Sequence, residues 1–313
     1  MSKNIFVTGS LAFDYIMDFP QTFEENILPD KLKTLSVSFL AHNFSRNNGG
    51  VAGNIAYNLS LLSIKPLILA SAGKKDFTSY KKELEKRGVN TSLINIVPNE
   101  FSANMFIITD KNNCQIAGFY PGAMSEDTNL NIPQNTDFIV VSPTVPSAMD
   151  NFINQAKKKK IPYMYDPAQQ IPRIEVEQLK NGIDGAEILI GNDYELSLIT
   201  KKTGFTKKEI LKKVKVLVTT LGEKGSLVET EKEKTEVGIA KPEKIKDPTG
   251  AGDAYIAGFL AGYLNGKGLK ESGTIGATLS SFAIEQYGTQ NHKPTVSRIS
   301  KRFKENFKTQ LPL

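Results

Sequence analysis

Lys246-Asp247-Pro248-Thr249-Gly250-Ala251-Gly252-Asp253-Ala254-Tyr255-Ile256-Ala257-Gly258-Phe259-Leu260-Ala261-Gly262 reads as a tight glycine turn that opens a helix. Pro248 favours an extended residue before it. Gly250 and Gly252 let the backbone turn sharply and approach a ligand closely. Ala254, Ala257, Gly258, Ala261 and Gly262 then give the helix a smooth face for close packing. The first N–H groups of a helix lack internal partners, and the dipole there favours negative charge. Ala251, Gly252 and Asp253 are thus placed to offer N–H groups to a phosphate. The Asp253 carboxylate would repel that phosphate, unless its task is to accept a proton from a hydroxyl that attacks phosphorus. The same residues also fit an ordinary capped helix with Asp in its first turn.

Upstream of this turn the chain alternates strands and helices. Residues 4–9 predict a short buried strand, and Asp14 follows soon after it. The period of two in Leu35-Ser36-Val37-Ser38-Phe39-Leu40 predicts a half-exposed strand. Asn47-Asn48-Gly49-Gly50 is a turn signal, followed by a helix rich in small residues from Gly53 to Leu62. Pro66–Ala70 predicts a strand, and Phe77–Arg87 a helix closed by Gly88. Ala103–Asp110 and Gln115–Tyr120 flank Lys111-Asn112-Asn113 and predict a hairpin. With the segment near 34–41, that hairpin would form a small sheet apart from the main one. From Phe138 onward strands and helices alternate, with a further hairpin at 226–229 and 234–240. Such alternation implies an α/β fold with a doubly wound, mostly parallel sheet. Ligands bind beyond the carboxyl ends of the strands in such sheets. Ser10, Asp166, Asn192, Thr219, Thr220 and the glycine turn all fall there.

Composition narrows the chemistry. The 313 residues are 40% hydrophobic and 23% charged, which argues against extensive disorder. The net charge of +6 suits anionic ligands, while the run Lys157–Lys160 reads as a solvated helix end. No interleaved aromatics point to nucleic acid. A single cysteine, Cys114, excludes an internal disulfide, and His42 and His292 are too far apart to suggest a zinc cluster. There is no apolar run of about 18 residues for a membrane span and no signal peptide before Ile5, so a cytoplasmic protein is expected. The sequence has no Walker P-loop, no Rossmann glycine fingerprint after the first strand and no nucleophile elbow. Asn192, Asp193, Glu195, the Gly222–Gly225 loop and Asp253 remain. Carboxylates beside a phosphate hole suggest Mg²⁺. Asn192 and Glu195 equally fit a capping box.

Four motifs, in order, resemble those of the ribokinase-like (PfkB) sugar and nucleoside kinases: Asn48-Gly49-Gly50-Val51-Ala52-Gly53-Asn54, Asn192-Asp193-Tyr194-Glu195, Thr219-Thr220-Leu221-Gly222-Glu223-Lys224-Gly225, and Asp247 with Pro248–Asp253. Ser36–Leu40, Phe119–Ser125 and Asp166–Gln170 are similar to segments of the bacterial adenosine kinases of that family. The resemblance implies a three-layer α/β/α fold over 1–313 with a discontinuous β lid from about 11–45 and 100–122. It implies an ATP-dependent kinase of a nucleoside 5′-hydroxyl, adenosine first, in which Asp253 is the base and the N–H groups beyond Gly250, on Ala251, Gly252 and Asp253, hold the transferred phosphoryl group. Glu195 with Asn192 would organise Mg²⁺, largely through water. Thr219, Thr220, Gly222 and Gly225 would line the ATP site, and Asp247 with Thr249 matches a monovalent-cation (K⁺) site. Asp14, Gly49, Gly50 and Asn54 would hold the ribose, with Ser10 and Ser38 nearby, and Phe119 would stack on the base. Met105 departs from the family, standing where related enzymes place an aromatic. A homodimer paired through the lid is also expected. A kinase of ribose or a related furanose is the alternative, and a non-catalytic nucleotide-binding regulator an alternative of another class.

Overall fold

A computed structural model describes residues 3–313. The strands are β1 (Ile5–Val7), β2 (Ala12–Asp18), β3 (Asn43–Gly49), β4 (Leu67–Ile68), β5 (Ser71–Gly73), β6 (Asn95–Val97), β7 (Ala103–Thr109), β8 (Gln115–Tyr120), β9 (Phe138–Val141), β10 (Tyr163–Tyr165), β11 (Ile188–Asn192), β12 (Val216–Thr220), β13 (Ser226–Glu229) and β14 (Lys234–Val237). The helices are α1 (Phe23–Asn26), α2 (Val51–Leu61), α3 (Thr78–Lys86), α4 (Pro146–Lys159), α5 (Val176–Ile183), α6 (Asp193–Thr203), α7 (Lys207–Lys213), α8 (Ala251–Leu264), α9 (Leu269–Ala283) and α10 (Val296–Phe307).

The main sheet runs β14-β13-β12-β11-β10-β9-β1-β4, parallel from β12 to β4 and antiparallel at the β12-β13-β14 edge. Successive strand residues point to opposite faces, and this divides the core in two. Val7, Val140, Met164, Ile188, Ile190, Val216 and Val218 pack beneath α2, α3, α8, α9 and α10. Phe6, Ile139, Val141, Tyr163, Tyr165, Leu189 and Leu217 pack on the other face, against α4, α5, α6 and α7. The result is the doubly wound, mostly parallel sheet expected from the alternation of strands and helices, in the three-layer arrangement that the resemblance implies. Among the described residues, no helix is long and apolar enough to cross a membrane.

A second sheet, β3-β2-β7-β8, forms the lid. Its hairpin is β7–β8, with the Asp110 carboxylate accepting from the N–H groups of Asn112 (2.8 Å) and Cys114 (2.9 Å) to shape the turn. The third lid strand corrects the sequence expectation. Leu35–Leu40 is irregular and largely exposed, and the strand that pairs with β2 is the polar Asn43–Gly49. Phe39 leaves the sheet to pack edge-on against Phe19 and Phe23, with ring centroids 4.8 and 5.2 Å away. Asn47–Gly49 is therefore the end of a strand, and the turn narrows to Gly50, whose φ of 85° caps α2.

Candidate active site

Gly250, at φ 81°, starts α8 at the carboxyl end of the main sheet. The Ala251 N–H turns back to the Pro248 carbonyl at 3.2 Å. The open pair is therefore Gly252 and Asp253, whose N–H groups have no backbone partner among the described residues. Space in front of Gly252 is clear, since a Cβ there would meet nothing within 4 Å. Behind this turn α8 lies against α9 so closely that a Cβ on Gly258 would come within 2.7 Å of the Gly276 Cα. The small-residue face thus fixes where the turn sits.

Four carboxylates converge on the cleft. Burial pushes the Asp253 carboxyl up to about 7, with the charges of Asp14 and Glu195 adding to the rise and a bond from Asn54 opposing it. That bond runs from Asn54 Nδ2 to Asp253 Oδ2 at 2.7 Å. Burial also raises Asp14 to about 6, and Asp247 adds to it. Asp166, buried just beyond β10, is raised well above the usual carboxylate range by burial and by Glu195 and Asp253. Burial raises Glu195 too, against the bond from the Asn192 N–H. At about 7 and about 6, Asp253 and Asp14 are suited to accept or hold a proton near neutrality.

Asn192 caps α6 through a reciprocal box: Asn192 Oδ1 accepts from the Glu195 N–H and Glu195 Oε2 accepts from the Asn192 N–H, each at 2.8 Å. The box occupies one Glu195 oxygen. Among the described residues no cluster of three or more His, Cys, Asp or Glu side chains is poised to ligate a metal. The pair Asp166 and Glu195 fits a divalent cation held partly through water, because the charge of Glu195 is felt at the buried Asp166 and a cation between them would relieve it. Asp247 is tied down by the N–H groups of Thr249 (2.9 Å) and Gly288 (3.2 Å).

A cavity of about 300 Å³ adjoins the turn. Thr220, Gly222, Gly225, Ala251 and Gly252 line one side, and Ile239, Pro242, Ile245, Ala277 and Ile284 supply an apolar wall. Thr219 sits outside that lining, its hydroxyl buried without a partner. The apolar wall was missed from sequence, although Ile239 and Ile245 stand out as isoleucines in a run otherwise rich in lysine.

On the lid, Asp14 lies opposite Asn47 on one side and Met105 on the other, and Met105 lies opposite Phe119. Residues directly opposed share a face, so Asp14, Met105 and Phe119 form one surface. Gly49 leaves room for Asp14, since a Cβ there would collide with its carboxylate. Two expected residues have other surroundings. The Ser10 hydroxyl accepts from the Val51 N–H at 3.1 Å and so caps α2. Ser38 is exposed on the irregular segment before β3. Asp166, expected as a strand-end position, carries a buried carboxyl here, and Thr289 and Gln290 join the site unforeseen. The 289–290 pair follows Gly288 in a loop with no periodic signal.

Sheet, lid, open N–H pair and raised carboxylate define the class: an α/β phosphotransferase with a β lid. The pfkB family carbohydrate kinase model matches residues 7–296, and the chain belongs to that family, whose reaction is phosphoryl transfer to an alcohol. It is 30% identical over 307 residues to the nucleoside kinase of Methanocaldococcus jannaschii, covering 97% of this chain and 98% of the relative. The structure of Burkholderia thailandensis nucleoside kinase in complex with inosine superposes with a TM-score of 0.89 at 30% identity, over 98% and 99% of the two chains. The same enzyme in its ADP-inosine complex gives 0.86 at 31% identity, over 98% and 97%.

Proposed function

We propose that the protein is an ATP-dependent nucleoside kinase, transferring the γ-phosphoryl group to the 5′-hydroxyl of a nucleoside, adenosine first. The observation that carries this reading is the lid face. It sets a carboxylate, Asp14, beside the apolar side chains Met105 and Phe119, which suits a ribose joined to a flat base. A carboxylate accepts from two vicinal hydroxyls at once, and Met packs well on rings while orienting them loosely. Asn54 and Gly50, at the start of α2, lie on the ribose side. The likeness to a nucleoside kinase whose structure is in complex with inosine supports a nucleoside over a free sugar.

Asp253 takes the proton from the 5′-hydroxyl as it attacks in line. The Gly252 and Asp253 N–H groups face charge on the phosphoryl oxygens. The nucleotide lies along Thr220, Gly222 and Gly225 with its base against the apolar wall. Asp166 and Glu195, with Asn192, would hold Mg²⁺ through water; when bound it neutralises charge on the transferred group. Asp247 and Thr249 would hold K⁺, which offsets the Asp247 charge felt by Asp14. The outer lid face, with Phe44 65% exposed and Phe106, Ile116 and Tyr120 also exposed, suits pairing with a second copy in the cytoplasm.

An ATP-consumption panel of adenosine, inosine, guanosine, cytidine, ribose and fructose 6-phosphate, run in K⁺ and in Na⁺, tests the substrate. Adenosine is expected to lead, with higher rates in K⁺. Turnover on a free sugar well above every nucleoside would refute the reading. Light scattering at two concentrations reads the dimer.

A further inference from the structure

The base Asp253 is joined to the lid by a buried chain of side chains. Asn54 Nδ2 donates to Asp253 Oδ2 at 2.7 Å. Asn54 Oδ1 faces Gln290 Nε2 at 2.8 Å and the Thr289 hydroxyl at 2.8 Å. Gln290 Nε2 also meets the Tyr80 hydroxyl, and that hydroxyl donates to the Gly49 carbonyl at 2.9 Å. Gly49 ends β3, directly beneath the Asp14 carboxylate. The members are packed away from water: Tyr80 is 0%, Asn54 3% and Gln290 8% exposed. Even the helix makes room, since a Cβ on Gly53 would collide with the Tyr80 hydroxyl.

The chain ends in a carbonyl at one side and, with Asp253 ionised as the base, a carboxylate at the other, and both then only accept. Tyr80 must direct its single proton to Gly49, so its oxygen has to receive. Asn54 must turn its amide nitrogen to Asp253, so its oxygen has to receive as well. Between two receiving atoms stands one group, and it must donate in both directions. An amide NH₂ does this; a carboxylate, a thioether or a hydroxyl does not. We propose that Gln290 is a positioning residue for phosphoryl transfer: its NH₂ group sets the direction of the whole chain and thereby holds Asn54 as a donor to Asp253 Oδ2, leaving Oδ1 for the substrate hydroxyl. Gln290 touches neither substrate nor reacting atoms, and the assignment rests on Asp253 being the base.

Gln290→Glu keeps the shape and inverts the chemistry. The carboxylate it introduces accepts from both neighbours, so Asn54 rotates and sets its oxygen against Asp253. Gln290→Met removes the donor without inverting it, leaving the Asn54 oxygen to the Thr289 hydroxyl at 2.8 Å, whose single proton also faces the Asn48 carbonyl at 3.0 Å. The other charges facing Asp253 are unchanged in both variants: Asp14 from β2, Glu195 from α6 and Asp166 beyond β10, with Asp247 behind Asp14.

Steady-state turnover at saturating adenosine and ATP is measured across pH for the full-length wild type, both variants and Asp253→Asn, with ATP-analogue binding and thermal melting as checks on folding. Gln290→Glu is expected to lose on the order of 10² in kcat and to move the acid limb of the profile upward by about one pH unit, with nucleotide binding retained. Gln290→Met is expected to lose less than about tenfold. Gln290→Glu within threefold of wild type with an unmoved acid limb would overturn the assignment, as would two variants equally impaired, which indicates packing alone. If Gln290→Glu does not fold, the cycle of Gln290→Met and Thr289→Val decides. Two donors acting through one amide give losses that exceed the sum of the singles, and simple additivity refutes the relay. Near-normal turnover by Asp253→Asn would instead remove the base itself, a failure distinct from that of Gln290.

Discussion

Asp253 holds two features that conflict in a simple anion site: a carboxylate, and an open N–H pair at the start of α8. Their conflict disappears if the carboxyl is neutral or proton-accepting during the reaction, and burial raises it to about 7. Asp253→Asn keeps the shape and the Asn54 contact region but cannot accept a proton. It is expected to bind adenosine within a few-fold of wild type by calorimetry and to lose at least ~10² in turnover. Near-normal turnover would remove Asp253 from the role of base. The glycine turn made Asp253 legible in the sequence because spacing alone sets a carboxylate in the first turn of a helix. Asp166 was legible as a strand-end position but not as a buried carboxyl, and Gln290 sits in no local pattern that marks a ligand. The importance of both lies in what faces them across the fold. Ser10 shows a second use of such a position: a polar residue after a strand end satisfies a helix N-terminus as readily as a substrate.

Elements were read well where period and packing agree. β9 to β12 are apolar runs bounded by turns, and the capping box of α6 is visible as Asn192 and Glu195 three apart. The third lid strand was misplaced because Leu35, Val37 and Phe39 alternate like a strand, whereas β3 is Asn43-Phe44-Ser45-Arg46-Asn47-Asn48-Gly49. Pairing with β2 from Asp18 opposite Asn43 to Ala12 opposite Gly49 sets Gly49 against Asp14 and Gly50 at the α2 cap. Tertiary demand there overrides strand propensity. The α8–α9 contact is the clearest test of an element read from sequence. Gly258→Ala places a methyl within 2.7 Å of the Gly276 Cα and the Ile275 carbonyl, both backbone. Backbone must shift to admit it, so a loss of about 1–3 kcal/mol in urea unfolding is expected. A loss below about 0.5 kcal/mol, within the range of ordinary surface changes, would show that the helices are free to separate.

Across the whole molecule, buried carboxyls tie stability and turnover to pH in opposite directions. Burial raises Asp253 and Asp127 to about 7 and Asp14 to about 6, and Asp166 well above the usual range. Asp127 accepts from the Ser71 N–H and the Thr144 hydroxyl, each at 2.6 Å. These groups bind protons more tightly folded than unfolded, where an Asp titrates near 3.9. Their contribution to stability is therefore full below about pH 4 and is lost as pH rises through about 7. His292 works against them, because burial lowers it to about 4, with the Arg87 charge adding to the fall. Its contribution is present above its unfolded value of about 6.5 and is lost as pH falls through about 4. Between about pH 6.5 and 8 the carboxyls alone are still titrating, so the ligand-free protein is expected to melt at lower temperature as pH rises. With Asp253 as the proposed base, turnover is expected to climb over the same interval to a plateau above about 7. Scanning calorimetry and steady-state rates in matched buffers read the two slopes side by side. A melting temperature that rises together with kcat across this window would refute burial as the origin of the raised carboxyls, and with it the account of how one cleft holds both a proton acceptor and the phosphate it serves.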